Sequence, residues 1–185
     1  VIDAGDGDNQ LSLSSGVNTI TAGTGDNTIA ITDGQNTVTA DDGNNFIDIA
    51  AGTNAVTTGS GADTITAVGG ENVIDAGDGD NQLSLSSGVN TITAGSGDNT
   101  IDITDGQNTV TAGDGNNFID ITEGTNAVTT GSGADTITAV GGENVIDAGD
   151  GDNQLILSSG VNTITAGTGD NIIDITDGEN TIAAG

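Results

Sequence analysis

The sequence contains no lysine, arginine, histidine, cysteine, methionine, tryptophan, tyrosine or proline. Without an imidazole, a thiol or an amine, the chain lacks the usual bases and nucleophiles of enzymes and the nitrogen and sulfur ligands of zinc. Without a basic side chain it has nothing to neutralise phosphate, which argues against a nucleic-acid partner. No apolar run is long enough to span a membrane as a helix.

The polar chemistry that remains consists of carboxylates, hydroxyls and amides, with 28 acidic side chains among 185 residues. Oxygen donors of this kind suit hard cations such as calcium. Carboxylate pairs also hydrolyse glycosides, but such sites need aromatic or basic substrate contacts, and the only aromatic residues are Phe46 and Phe118. We therefore predict that the protein is not an enzyme.

A long internal repeat organises the chain. The segment VIDAGDGDNQLSLSSGVNTITAG begins at Val1, recurs at Val73 and, with one change at Ile156, recurs again at Val145. The period is therefore 72 residues, and the modules are 1–72, 73–144 and a partial 145–185. Together they form one continuous domain, 1–185.

A shorter period of nine lies within the long one. Asparagine occupies every ninth position from Asn9 to Asn180, except at Asp63 and Asp135. Neighbouring nonads differ, since AGTGDNTIA begins at Ala22 and ITDGQNTVT follows it, so the structural unit is 18 residues. Four such units make 72 residues, whereas a 27-residue coil does not divide 72. We therefore predict about ten coils, each with two strands and two turns.

Within each nonad the side chains alternate as in a strand. We expect Ile29 and Ile31 to point inward from one strand of a coil, and Val38 and Ala40 from the other. The fold class is therefore all-β, a parallel β-roll or β-solenoid. Stacked asparagine amides both donate and accept hydrogen bonds. The column from Asn9 to Asn180 is accordingly predicted to form internal ladders, without calcium in most coils.

The pattern resembles the RTX (repeats-in-toxin, haemolysin-type) calcium-binding nonapeptide, G-G-x-G-x-D-x-U-x. Gly5, Gly7 and Leu11 match its second glycine, third glycine and U positions. The resemblance implies a parallel β-roll, extracellular export and calcium held between turns by the motif Asp. Two departures stand out, because the first glycine is replaced by other residues and the Asp is Asn at 18 of its 20 occurrences. Only Asp63 and Asp135 keep the family's carboxylate.

Other carboxylates lie beside the turn glycines. Asp6 and Asp8 flank Gly7, and Asp26 continues the column of Asp8 one coil further on. Stacked carboxylates about 4.8 Å apart suit bridging calcium, although a solvated rim that keeps a rod soluble is the alternative interpretation. The candidate calcium ligands are Asp6, Asp8, Asp26, Asp63, Asp78, Asp80, Asp98, Asp135, Asp150, Asp152 and Asp170.

The density of negative charge along the rod predicts that it binds cations. About ten coils at roughly 4.8 Å span about 49 Å, so the 28 charges lie about 1.75 Å apart along the axis, close to duplex DNA. The near-identical modules favour a structural role, as an extracellular or cell-surface filament, stalk or surface layer with calcium on its acidic rim. Chain ends without caps, at Val1 and Gly185, predict end-to-end association, and Phe46 and Phe118 are candidate lateral contacts. A cell-surface polysaccharide is a further candidate partner.

Ice binding is the alternative function. Outward ranks such as Thr19-x-Thr21 and Thr37-x-Thr39 resemble the flat ice-binding surfaces of some antifreeze proteins, including RTX-like ones. Threonine is also simply favoured on exposed strands. Asp75 interrupts the ranks at every fourth coil, together with its equivalent one module later, which disfavours this alternative.

Overall fold

The computed structural model describes residues 1–185 as a succession of short strands without a helix. Its 21 strands, numbered along the chain, fall into a long-strand and a short-strand set. The long strands are β1 (Ile2–Gly5), β3 (Val17–Ala22), β5 (Gln35–Ala40), β7 (Thr53–Thr58), β9 (Glu71–Asp75), β11 (Val89–Ala94), β13 (Gln107–Ala112), β15 (Thr125–Thr129), β17 (Glu143–Asp147), β19 (Val161–Ala166) and β21 (Glu179–Ala184). The short strands are β2 (Gln10–Leu13), β4 (Thr28–Ile31), β6 (Phe46–Ile49), β8 (Thr64–Ala67), β10 (Gln82–Leu85), β12 (Thr100–Ile103), β14 (Phe118–Ile121), β16 (Thr136–Ala139), β18 (Gln154–Leu157) and β20 (Ile172–Ile175).

Successive coils stack in parallel register. The odd-numbered strands form an 11-stranded sheet, the long-strand sheet, and the even-numbered strands form a 10-stranded sheet, the short-strand sheet. Paired residues lie 18 positions apart, as Ile74 and Ile92 do in the first sheet and Leu83 and Ile101 in the second. The exception is in the first coil, where Gly5 pairs with Ala22. The predicted β-solenoid, with two strands per 18-residue coil, is confirmed. No helix in it is long and apolar enough to cross a membrane.

The core lies between the two sheets and runs the length of the rod. Ile29 and Ile31 of β4 and Val38 and Ala40 of β5 are all buried, as the period-two pattern predicts. Equivalent residues in the other coils form one continuous cluster of 31 buried apolar side chains. Because each coil contributes so few of them, backbone pairing and buried polar columns must supply much of the remaining stability.

Two kinds of turn connect the sheets. A wide turn, such as residues 23–27, follows each long strand, and a tight turn, such as residues 32–34, follows each short strand. Gly25 in the wide turn and Gly34 in the tight turn both have positive φ, 129° and 113°. A Cβ at either position would also collide with the backbone of Gly7 or Gly16 in the neighbouring coil. Glycine is therefore needed at both turns for conformation and for close stacking.

Candidate functional site

One asparagine column lies just after the tight turns, at the start of the long strands. The side-chain amide of each member donates from Nδ2 to Oδ1 of the next, over 2.7–2.9 Å, without a break along the rod. Its members are Asn18, Asn36, Asn54, Asn72, Asn90, Asn108, Asn126, Asn144, Asn162 and Asn180. We call it the tight-turn column. Its amides are hydrogen-bonded to one another, as the sequence predicts.

The second column ends each wide turn, and it contains the two aspartates. Its members are Asn9, Asn27, Asn45, Asp63, Asn81, Asn99, Asn117, Asp135, Asn153 and Asn171. We call it the wide-turn column. Nδ2 of Asn27 donates to the Gly23 and Gly25 carbonyls at 3.0 and 2.9 Å and to the next Oδ1 at 2.9 Å. Nδ2 of Asn81 and of Asn153 donates only to the two turn carbonyls. Each side-chain Oδ1 also accepts the backbone N–H of the preceding member.

Asp63 and Asp135 keep the acceptor bond of this column but lack the Nδ2 donor. Oδ1 of Asp63 accepts the backbone N–H of Asn45 at 2.7 Å, and Oδ1 of Asp135 accepts that of Asn117 at 2.8 Å. The second oxygen, Oδ2, has no hydrogen-bond partner in either residue, although both side chains are buried. An oxygen cannot replace the amide nitrogen, which donates to turn carbonyls in the asparagine coils. Each aspartate therefore leaves one unsatisfied acceptor inside the rod.

Thr58 and Thr130 accompany the two aspartates. Both are buried, and the hydroxyl of each is also without a hydrogen-bond partner. Burial raises the pKa of Asp63, and this effect outweighs the opposing influence of the Asn45 N–H, the nearby Thr58 hydroxyl and the Asn45 amide. The Thr58 hydroxyl is thus close enough to act on the carboxyl charge, but its geometry does not satisfy either oxygen.

The nine predicted rim aspartates are all exposed, and most bond to the next coil. Oδ1 of Asp8 accepts the Asp26 N–H at 2.9 Å, and Oδ1 of Asp26 accepts the Asn44 N–H at 2.8 Å. The same bond, at 2.7–3.0 Å, is made by Asp6, Asp78, Asp80, Asp98, Asp150 and Asp152. Asp170, the ninth, is exposed as well. Oδ1 of each of the other carboxylates thus bonds to the turn of the next coil, and its Oδ2 makes no hydrogen bond within the chain.

Along one rim column, acidic and hydroxyl residues alternate from coil to coil. The column reads Asp6, Thr24, Asp42, Ser60, Asp78, Ser96, Asp114, Ser132, Asp150 and Thr168. In each Asp–hydroxyl pair the hydroxyl residue donates both its N–H and its O–H to the carboxylate one coil before it. These bonds, the backbone one first, lower the pKa of Asp42, Asp78, Asp114 and Asp150. Alternation also keeps like charges two coils apart.

Calcium can be tested against these donors. The asparagine columns offer little, because their amides already bond to each other and to turn carbonyls. Oδ2 of Asp63 and of Asp135 are hard oxygen donors without partners, which is the ligand type that calcium prefers. Nowhere in the rod, neither at these two aspartates nor on the rim, do three carboxylates converge closely enough to form a metal cluster. Calcium therefore fits the two buried aspartates by donor chemistry, and the rim offers single carboxylates.

The outer side of the long-strand sheet carries two shallow grooves, of about 580 and 460 Å³. They run beside the Thr-x-Thr ranks, and Thr19 pairs with Thr37 and Thr21 with Thr39 as the ranks require. Ala55 lines the first groove and interrupts the threonine rank, where it pairs with Thr37. On the opposite sheet Phe46 and Phe118 point outward, each 46% exposed.

Two sets of residues were not predicted from the sequence. Asp42 and Asp114 bond to the rim in the same way as the predicted aspartates, and Thr58 and Thr130 adjoin the buried carboxylates. A signal for the threonines was present, because their inward column otherwise holds alanine, as at Ala40. Threonine enters that column only in the two nonads that contain the motif Asp.

Comparison with protein-family models matches the RTX calcium-binding nonapeptide repeat over residues 1–30, 49–83, 57–92, 85–119, 120–155, 129–164 and 156–185. No curated protein and no solved structure matches the chain. The family match spans most of the sequence, and the 18-residue parallel coils are those of a β-roll. The chain belongs to the RTX calcium-binding nonapeptide repeat family.

Proposed function

We propose that the chain is a structural segment of an extracellular filament, stalk or surface layer, in which calcium at the acidic rim brings rods together. The supporting observation is the uniformity of the coils, which keep one register across both sheets. Repeats of this family are typically non-catalytic. A uniform rod serves a load-bearing or space-filling role better than a role that needs one unique pocket.

Charge is the second support for this role. The chain carries a formal charge of −28 with no basic residue, so two rods repel each other in low salt. Rim carboxylates such as Asp8 and Asp26 use one oxygen for coil stacking, which leaves the other to bind a shared divalent ion. Calcium then acts between rods, while the asparagine columns and the aliphatic core hold each rod together.

A calcium titration followed by circular dichroism and light scattering tests the proposal. We expect scattering to rise at millimolar calcium, and not at equal ionic strength of sodium chloride. The β-sheet signal should largely survive a chelator. Electron microscopy with and without chelator should then show bundles or layers only with calcium. A chain that stays dispersed at millimolar calcium contradicts the proposal.

Ice binding is the second candidate function. It is favoured by the paired threonines of neighbouring coils, such as Thr91 with Thr109 and Thr93 with Thr111. Thermal hysteresis measured on the dispersed chain separates the two functions. A clear hysteresis together with no calcium-dependent scattering would favour ice binding, whereas the structural role predicts scattering and no hysteresis.

A further inference from the structure

Two threonines occur where the rod otherwise places alanine. The column at the end of the long strands holds alanine at Ala4, Ala22, Ala40, Ala76, Ala94, Ala112, Ala148, Ala166 and Ala184, and threonine only at Thr58 and Thr130. Each threonine lies five residues before an aspartate of the wide-turn column, across one wide turn. The pair therefore changes together, in one coil of each module.

The atoms of this pair explain why the substitutions belong together. In an asparagine coil, Nδ2 donates to two turn carbonyls, as Asn81 does to Gly77 and Gly79 at 3.2 and 3.1 Å. In the Asp63 coil the corresponding carbonyls belong to Gly59 and Gly61, and the amide nitrogen is replaced by an oxygen. Oδ2 thus enters a set of oxygen acceptors with no donor to meet them. A positive charge is what such a set lacks.

Burial strengthens this requirement. Asp63 is only 1% exposed and Thr58 only 5% exposed, so bulk solvent reaches neither side chain. The Thr58 hydroxyl lies near the carboxylate, yet Thr58 Oγ1 and Asp63 Oδ2 are both left without a well-formed hydrogen bond. The same two atoms are unpartnered at Thr130 and Asp135, four coils away. The arrangement is thus a repeated feature of the module.

An acidic recess lies beside the first of these pairs. Thr58 lies at the wall of an entirely polar recess of about 420 Å³ at the wide turn. Asp42, Asp75 and Asp78 line the same recess, so its mouth is strongly acidic. Carboxylates at a mouth raise the local concentration of cations.

We propose that Thr58 and Thr130 are calcium ligands, whose hydroxyl oxygens join the Asp63 and Asp135 carboxylates in one buried site per 72-residue module. The position of these threonines is a glycine in the family motif, so the hydroxyl is a departure from that motif. The asparagine coils between them hold no such site. The rod therefore has two internal sites, distinct in place and in number from the diffuse binding at its rim.

The experiment compares calcium binding by equilibrium dialysis in about 0.15 M potassium chloride, which screens the rim charges. The wild-type chain should show two saturable sites. The double variant T58V/T130V, which removes the hydroxyls and keeps the shape, should bind about tenfold more weakly. The variant T58S/T130S should restore the affinity, and D63N/D135N should abolish both sites. The matched control T57V/T129V, which alters exposed threonines of the same two strands, should bind as the wild type does.

Melting temperature with and without calcium separates a ligand from a packing residue. A ligand loses the calcium-induced rise in melting temperature, because binding to the folded state is the source of that rise. Equal affinity in T58V/T130V and wild type would overturn the proposal, as would an equal drop in melting temperature with and without calcium. Two saturable sites that persist in D63N/D135N would also overturn it. Lateral bundling is read separately by scattering, so its failure leaves this result intact.

Discussion

At the scale of single residues, one side-chain type has opposite consequences in two places. Asp78 on the rim accepts the N–H and O–H of Ser96, and these bonds lower its pKa. Asp63 inside the rod has its pKa raised by burial, with one oxygen left unpaired. An ionised aspartate therefore stabilises the turn at the rim and destabilises the coil in the interior.

The variant Asp63→Asn should stabilise the chain at neutral pH in the presence of a chelator. Because the folded pKa of Asp63 is raised, its favourable contribution is complete below the unfolded value of about 3.9 and is lost as pH rises through the folded value. Asparagine restores a donor to the turn carbonyls, a gain of about 1–3 kcal/mol. Urea unfolding at pH 7 and at pH 3.5 measures it. A gain of the same size at both pH values would contradict the assignment.

Rim carboxylates should show the reverse pH dependence. The pKa of Asp78 is lowered, so its stabilising bonds are present above about pH 3.9 and are lost as pH falls through the folded value. The variant Ser96→Ala removes the hydroxyl donor and leaves the backbone one, so the Asp78 pKa should rise part of the way towards its ordinary value. Carboxyl carbon NMR during an acid titration reads this directly, with Asp114 as the internal reference. An unchanged Asp78 pKa would show that the hydroxyl bond is not formed.

At the scale of strands and turns, the sequence predicts where side chains lie better than it predicts their hydrogen-bond partners. The nine-residue and 18-residue periods correctly placed Ile29, Val38 and the asparagine columns, because burial and stacking repeat with the coil. Periodicity could not show that Oδ1 of Asp8 accepts a hydrogen bond from the Asp26 N–H, since that bond depends on how the wide turn orients its amides. Nor could it show that Thr58 lies beside Asp63, because the contact crosses a turn whose path is set by glycine conformation.

Removing one amide from the tight-turn column should weaken the whole coil. Asn90 donates to Asn108 Oδ1 at 2.7 Å and accepts from Asn72 at 2.8 Å, and it is fully buried. The variant Asn90→Ala loses both bonds and a third one, to the Ser87 carbonyl at 3.3 Å. It leaves Asn108 Oδ1 without its donor, while Asn72 keeps only its bond to the Gly69 carbonyl, and we expect a cost of about 2–4 kcal/mol in free energy of unfolding. Thr91→Ala, on the exposed side of the same strand, should change it by less than about 0.5 kcal/mol. Chemical denaturation compares the two, and similar losses would mean that the amide column contributes no more than a surface residue.

At the scale of the whole molecule, the rod combines strong uniform charge with a few apolar points. Phe46 pairs with Thr28 and Thr64 on the outer side of the short-strand sheet, so it projects beyond its neighbours. Phe118 repeats it one module later, between Thr100 and Thr136. Charge repulsion dominates at long range and is reduced by divalent ions, after which short-range apolar contacts decide whether rods adhere.

The double variant F46S/F118S should therefore raise the calcium concentration at which rods associate, without changing the fold. The two phenylalanines are exposed, so their loss leaves the core of the coil unaltered and circular dichroism should stay the same. Removing two such apolar contacts per rod weakens each lateral contact, and we expect the midpoint of light scattering to shift upward about threefold or more. The control T28S/T100S alters the same outward column without removing an aromatic ring, and its midpoint should remain at the wild-type value. If F46S/F118S associates at the wild-type calcium concentration, the rods meet through another face, and the outer side of the long-strand sheet becomes the surface to alter next.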